Sequence, residues 1–475
     1  MSSSLLKNLL MPLALLALCI PIPPAQAAGP DRFAAQSEKL DKALQDFNSR
    51  FYAAQAKRGD IERFTSINAL ATALQHQLKQ DLPQQAVLLI FNNLALVERN
   101  INSGAAIQVI AILLESNEWQ TASRLLALAR KESDRSVISN MSFAFARQHF
   151  YRGRWREVSD MLASIEHDLP PEDLHHALLM QGIAAQNLQE HRRAIEIFAK
   201  IPASSHHFQA AQVNLAIANI RQGWWSDAHE IINKLMQRQP RVAHDGQNDR
   251  LYSLLGYSFL QQQYYRNARD AFRNVSRDGP YTNRALLGIA LCAANQEDYI
   301  GALNAVRVLK DNTQLDLPVD EAHLLTAYFY EKLQQFTTAS AGYSDAIAYY
   351  EQRMRWLDGL NVSEADIASR ITRQADDRTI SVGTELLVLD GLLPMAFFDN
   401  LRRLWSFQAY IASMHDPALK HEFAALQDAY RQLLGEVVRE ALRVRANFLT
   451  SYMNQARFGL ARMHDTGASR PGESQ

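Results

Sequence analysis

His421 and Glu422 open the pattern of a zinc-protease helix, in which two histidines one turn apart reach a single metal and the glutamate acts as base. Ala425 stands where the second histidine is needed, so the motif fails. His175-His176 and His206-His207 are adjacent pairs. Neighbouring side chains on a helix diverge by about 100°, so these pairs read as solvated or capping residues rather than metal ligands. The chain has no glycine-rich phosphate loop, no Gly-x-Ser-x-Gly elbow and no paired-cysteine motif. Carboxylates are plentiful, but acid–base work needs two of them converging in a pocket, which spacing alone does not show. No catalytic, cofactor-binding or metal-binding residue is assigned, and no enzyme activity is expected. Asn274-Val275-Ser276 and Asn361-Val362-Ser363 fit the glycosylation acceptor pattern and count as chance matches.

Composition narrows the classes further. The 475 residues carry 49 Lys and Arg against 50 Asp and Glu, which is not the basic field of a nucleic-acid binder. Lys7, an apolar run from Leu9 to Ile20, a cluster of prolines and then Ala25-Gln26-Ala27 give the layout of a secretory signal peptide, with cleavage expected after Ala27. An uncleaved anchor needs about 18 or more apolar residues, and Pro12, Pro21, Pro23 and Pro24 limit this stretch. A lipoprotein would modify Cys19, but Leu18 stands where such signals prefer a small residue. With Cys19 removed, Cys292 is the single cysteine and is expected to be a buried apolar residue. An exported chain of this length without a disulfide points to the bacterial periplasm, in solution or peripheral to the outer membrane. No second apolar run is long enough to span a membrane.

The elements that would position any site are helices in a repeated order. In the clearest unit, Leu255, Gly256 and Phe259 share one face of a first helix, and Ala268, Phe272 and Val275 one face of a second, before Pro280 stops the unit. Small residues at Gly256 and Ala268 let the two backbones approach, while Phe259, Tyr265 and Phe272 fill the space around them. The same order recurs with Gly182, Ala194, Phe198 and Ile201, with Ala216, Gly223, Trp225, Ala228 and Ile232, and with Ala290, Tyr299, Ala302 and Val306. Ala327, Tyr330, Phe336, Ala339 and Tyr343 continue it downstream; Ala146, Gly153, Trp155 and Leu162, then Trp119, Ala122 and Leu126, continue it upstream. This order resembles the tetratricopeptide repeat, a helix–turn–helix of about 34 residues. The implied fold is all-α, an α-solenoid of about seven such units.

The expected organisation is a signal peptide at 1–27, an N-terminal helical cap at 28–102, the solenoid at 103–353, a C-terminal helical region at 354–465 and a disordered tail at 466–475. Such an array grows without one large core, so an elongated body is expected. The long stride between the units around Ala228 and Ala268 leaves room for a loop at Arg241–Asn248. Ser363 and Asp366 predict a short helix through Arg373, followed by a polar, turn-prone stretch from Gln374 to Thr384. Phe423, Leu426, Tyr430, Leu433, Val437, Ala441, Val444, Phe448 and Tyr452 keep a three-four spacing that predicts one long helix. It could pack antiparallel on Phe397–Met414 and close the solenoid. Alternatively it could project and pair with another subunit, with Arg431, Arg439, Arg443, Arg445 and Arg457 framing the seam.

In the family this chain resembles, the first helix of each unit lines a concave groove for peptide segments. The resemblance carries that role to Phe143, Arg147 and Phe150, Leu179 and Ile183, Val213, Ile217 and Arg221, Tyr257, and Leu324 and Tyr328. The lysine–asparagine clamp that some members use for a carboxylate is not matched. The implied function is a scaffold or adaptor that binds a protein or peptide in a cell-envelope assembly, export or secretion complex, with no cofactor and no nucleic acid. A terminal helix of the same chain in the groove, a hydrolytic site or accessory-enzyme role in the C-terminal helices, and a homo-oligomer joined through the long helix are the alternatives.

Overall fold

The computed structural model describes residues 28–468 except for breaks at 57–60, 81, 166–167, 239–245, 313–314, 361–362, 364–366, 368–378, 383–384, 390–391 and 413–415. The expected export signal, most of the Arg241–Asn248 loop, nearly all of the short helix from Ser363 and the last part of the tail lie outside the described residues. Four helices come first: α1 (Ala28–Ala56), α2 (Ile67–Lys79), α3 (Pro83–Asn92) and α4 (Leu94–Arg99). Seven helix pairs follow: α5 (Gly104–Glu115) with α6 (Trp119–Glu132), α7 (Arg135–Tyr151) with α8 (Trp155–Ala163), α9 (Pro171–Asn187) with α10 (His191–Ala199), α11 (Phe208–Gln222) with α12 (Trp225–Arg238), α13 (Gly246–Gln261) with α14 (Tyr265–Arg273), α15 (Thr282–Asn295) with α16 (Tyr299–Lys310), and α17 (Leu317–Lys332) with α18 (Phe336–Asp358). A hairpin of β1 (Thr379–Val382) and β2 (Glu385–Val388), then α19 (Met395–Ala412) and α20 (Pro417–Ala468), complete the order.

Each pair turns through one residue of left-handed backbone: Asn117, Gly153, Gln189, Gly223, Gln263, Glu297 and Gln334, with φ between 61 and 82°. The next residue's N–H then reaches back five positions to satisfy an orphan helix carbonyl, as in Glu118 to Leu113 (2.7 Å), Tyr264 to Phe259 (2.9 Å) and Asp298 to Ala293 (2.9 Å). Only Gly153 and Gly223 take this conformation without a side-chain penalty; the other five residues accept a cost of roughly 1–2 kcal/mol each to make the bend. Inside the pairs, the small residues sit under aromatic rings. A Cβ at Gly182 would overlap Phe198, and Cβ atoms at Gly256 and Gly288 would overlap opposite sides of Phe272. Phe272 therefore locks α13 to α15 across a unit boundary. The chain is an all-α solenoid of the tetratricopeptide type.

The middle of the array is held by small apolar clusters, each shared by neighbouring units. The two ends depart from this pattern. One core contains Phe33, Phe47 and Tyr52 of α1, Ile90 of α3, Val109 of α5 and Phe145 of α7. The same core contains Leu324 of α17, Tyr343 and Tyr350 of α18, Phe397 and Phe407 of α19, and Tyr430, Leu434, Tyr452 and Met463 of α20. The long helix α20 makes this possible: 52 residues reach about 78 Å, and its main packing partners are α18, α1, α17 and α19. Its C-terminal half stacks on the last unit, where Tyr343 covers Gly459 and Arg457 pairs with Glu351 at 3.1 Å. Its N-terminal half lies on α1, where Arg32 pairs with Glu436 at 3.2 Å and Arg50 with Glu422.

The long helix packs antiparallel on α19, as the first of its two readings has it, so the projecting alternative is set aside, and two further expectations change. The helix does not project: its apolar stripe is covered within the chain. Arg445 does not frame an exposed seam but is buried against Asp320. The body is not an open rod, because α20 ties the last unit to the N-terminal helices. The stretch read as polar and turn-prone contains β1, paired antiparallel with β2 from Thr379↔Val388 to Val382↔Glu385. At the margins, α13 already begins at Gly246, and α20 runs on to Ala468.

Candidate functional site

Two buried polar junctions fasten the ends. Asp41 of α1 accepts hydrogen bonds from Arg152 Nε (3.1 Å), Asn117 Nδ2 (3.2 Å), Asn400 Nδ2 (2.8 Å) and Gln45 Nε2 (2.9 Å). Arg152 also donates to Asn117 Oδ1 at 2.5 Å, and its guanidinium lies 4.5 Å from the Trp119 ring centroid. Four donors around one carboxylate satisfy a charge that burial alone would penalise. At the other end Asp320 is fully buried; Arg445 Nη2 lies 2.5 Å from its Oδ2, and the Tyr349 hydroxyl donates at 2.7 Å. Burial nevertheless raises the Asp320 pKa, opposed by Arg445.

Two other carboxylates are perturbed by burial. Burial pushes Glu118 up to about 8, against the Ser49 hydroxyl bond that lowers it, and pushes Glu321 up to about 7, against the bond from Tyr452. Both residues lie in the interior. They are buried acids held in the packing of the end region. Cys292 is buried, and burial pushes its thiol up to about 12, so it behaves as the small apolar residue expected of it.

The face assigned by resemblance to the groove divides into two groups. Phe143, Tyr257 and Leu324 are core residues, only 5–6% exposed. The Tyr257 hydroxyl donates to the Arg284 carbonyl at 2.7 Å, and its ring meets Phe272 edge-on at 4.7 Å, which ties its unit to the next. Leu324 belongs to the large end core. These three offer no free side chain to a partner, because the adjacent unit covers the part of the first helix from which they project. Tyr328 is half-buried with Lys332 Nζ 5.3 Å from its ring centroid, and Phe150 is half-buried against Trp155.

The rest form a partly open patch on successive first helices. Leu179 and Ile183 of α9, and Val213 and Ile217 of α11, are half-buried and lie one turn apart within each helix. Leu179 and Ile183 rest on the edge of their unit's core, whereas Val213 and Ile217 belong to none of the described apolar clusters. Arg221 at the end of α11 is exposed, and Arg147 of α7 is half-buried with its Nε lacking a hydrogen-bond partner among the described residues.

Beside this patch the histidines combine across units rather than with their sequence neighbours. His176 stacks on His207 at 4.7 Å and meets Phe143 edge-on at 5.7 Å. Burial, helped by His207 and Arg147, pushes His176 down to about 4, so it is neutral at physiological pH. Ring nitrogens bind through lone pairs in the ring plane, so two nearly parallel stacked rings do not converge on one ion. Among the described residues no group of three or more His, Cys, Asp or Glu could hold a metal. Nor is any described helix long and apolar enough to cross a membrane.

Comparison with known proteins gives limited overlap. Residues 59–254 match the family model described as the N-terminal domain of the ESX-1 type VII secretion system protein EccA1. The match covers the later N-terminal helices and the array as far as α13, less than half of the chain. No curated protein matches. Among solved structures, the human IFIT1 dimer with PPP-AAAA aligns over 92% of this chain and 95% of that chain, at 10% identity and a TM-score of 0.26, too low to bear on the argument.

Proposed function

We propose that this chain is a non-enzymatic scaffold, exported to the bacterial periplasm, which holds a protein partner of a cell-envelope assembly, export or secretion complex. The observation that carries the binding part is the half-open apolar patch of Leu179, Ile183, Val213 and Ile217 on consecutive first helices, with Arg221 one turn beyond Ile217 and Arg147 on the preceding first helix, close enough to act on His176. Apolar pairs one turn apart, with cations at the margin, suit an amphipathic or extended segment that buries its apolar side and offers a carboxylate at its edge. The likeness to a secretion-system domain supports a place in an export machine. Periplasmic residence is supported by the apolar run Leu9–Ile20 followed by Ala25-Gln26-Ala27.

Site-specific photo-crosslinking tests the assignment. A photoreactive residue at Ile217 in the cell should capture a discrete protein, and Val213→Asp in the same chain should abolish that product. The same probe at Glu196, exposed on the second helix α10, should not capture it. Equal capture from both positions would remove the patch from the account.

A further inference from the structure

A cavity of about 210 Å³ lies in the seam where α1, α2, α3 and α5 meet α19 and α20, formed by residues other than those of the patch above. Leu44, Ile112, Leu404, Phe407 and Phe423 give it apolar walls, each nearly or fully buried. Two of its lining residues are polar and unusual. Tyr52 is fully buried, yet its hydroxyl has no hydrogen-bond partner among the described residues. Folded chains rarely leave a buried hydroxyl in that condition. Arg403 also lines the cavity, and no described residue forms a hydrogen bond or ion pair with its side chain. Asp399 and Glu115 influence it only at a distance: Asp399 is engaged by Arg402 at 2.5 Å, and Glu115 is exposed where it lines the cavity. Burial lowers the Arg403 pKa from its usual high value, and an arginine so shifted is still a cation at neutral pH.

We propose that this cavity binds a carboxylate carrying a short apolar tail, with the carboxylate on the Arg403 guanidinium and the Tyr52 hydroxyl and the tail against Leu44, Phe407 and Phe423. The planar fork of an arginine matches a carboxylate in two parallel bonds, and a tyrosine hydroxyl donates a third. The apolar walls explain why the ligand is not a small inorganic anion. The volume is sufficient, since a dry cavity of about 150 Å³ takes a six-carbon ring. A free short-chain acid and the C-terminal residue of a peptide share this chemistry. Binding here would join α1 to α19, so the ligand would also brace the seam between the two ends of the chain.

The test uses the full chain with hexanoate, hexanamide, and a leucine-terminated tetrapeptide as free acid and as amide, followed by calorimetry and thermal unfolding. Hexanoate should bind and raise Tm, whereas hexanamide should do neither. R403Q should weaken hexanoate at least tenfold, and R403K should recover part of the loss. Y52F should bind more weakly by a few-fold while keeping its Tm, because its hydroxyl supports no bond within the chain. Tighter binding of the free-acid peptide than of hexanoate names a peptide terminus as the source; exclusion of the peptide names a free acid. The proposal is overturned if neither acid binds the wild type, or if R403Q binds as the wild type does. It is also overturned if E115Q lowers Tm as much as R403Q in the absence of any acid, which would make Arg403 a structural partner of Glu115. Should R403Q not fold, Y52F decides, and unchanged affinity there overturns the assignment.

Discussion

The middle units and the joined ends are built from the same helix pair but are held differently. Between α9 and α16 each apolar cluster is shared only with neighbouring units, as in a one-dimensional array. At the ends, residues as far apart as Phe33 and Met463 share one core, reinforced by carboxylates buried against arginines. One turn position shows the contrast. Asp298 follows the left-handed residue of its unit, is only half-buried, and is held below its usual range first by the Gly301 N–H and then by Arg269. Glu118 stands at the same place in the first unit, but α1 covers it and burial raises its pKa to about 8. A repeat position therefore has no fixed chemistry; what is packed over the turn decides it.

The largest expected effect is at the junction. Asp41→Ala leaves Arg152 buried without its carboxylate and should cost about 3–5 kcal/mol in denaturant unfolding. Hydrogen exchange should show the loss in α1, α19 and α20 together. A smaller and more local effect is expected from Gly256→Ala, which forces the Phe272 ring aside and should cost about 1–3 kcal/mol. Exchange should then rise in α13 to α15 and leave α1 unchanged. If both variants loosen the same helices, the division into two regions is wrong.

The smallest effect is in the pH dependence. In the folded chain Glu118 keeps its proton up to about pH 8, whereas in the unfolded chain it loses it near 4.5. The folded state thus binds more protons between these values, and its stability falls as pH rises through that window. His149, His176 and His323 carry the opposite sign, since burial pushes them down to about 4, 4 and 3, and their effect is confined to the acid side of 6.5. From pH 7 to 8 the wild type should lose about 1 kcal/mol that Glu118→Gln does not. Parallel slopes from chemical unfolding at the two pH values would show that Glu118 is not the group responsible.

Much of the array could be read from residue order. Gly182 with Phe198 and Gly256 with Phe272 mark close helix approaches, and all seven expected units are helix pairs. Five of the seven left-handed turns gave no signal, because Asn117, Gln189, Gln263, Glu297 and Gln334 are not glycines. The face positions are readable by period but not by depth: Ile183 and Tyr257 both lie on first helices, and one stays half-open while the other is covered by its contacts with Phe272 and the next unit's Arg284. The union of the ends was beyond reach, since Asp41, Arg152 and Asn400 look like ordinary surface residues until the chain brings them together. Gly459 within the long helix was the one local hint, a small residue that admits Tyr343. The hairpin is hidden in the sequence because β1 is only four residues long and lies within a polar, turn-prone stretch.

The most direct measurement concerns the joined ends. With Cys19→Ser and Cys292→Ala removing the native thiols, Arg32→Cys and Glu436→Cys replace partners whose side-chain tips meet at 3.2 Å across 404 positions of sequence. A short bis-maleimide, which spans the gap left by the two long side chains, should link the thiols within nearly all of the monomer, seen as a mobility shift on a denaturing gel and confirmed by mass spectrometry of the linked peptides. Absence of the link, or a link only between two copies of the chain, would contradict the assignment of α20 as the helix that ties the last unit to the first helices.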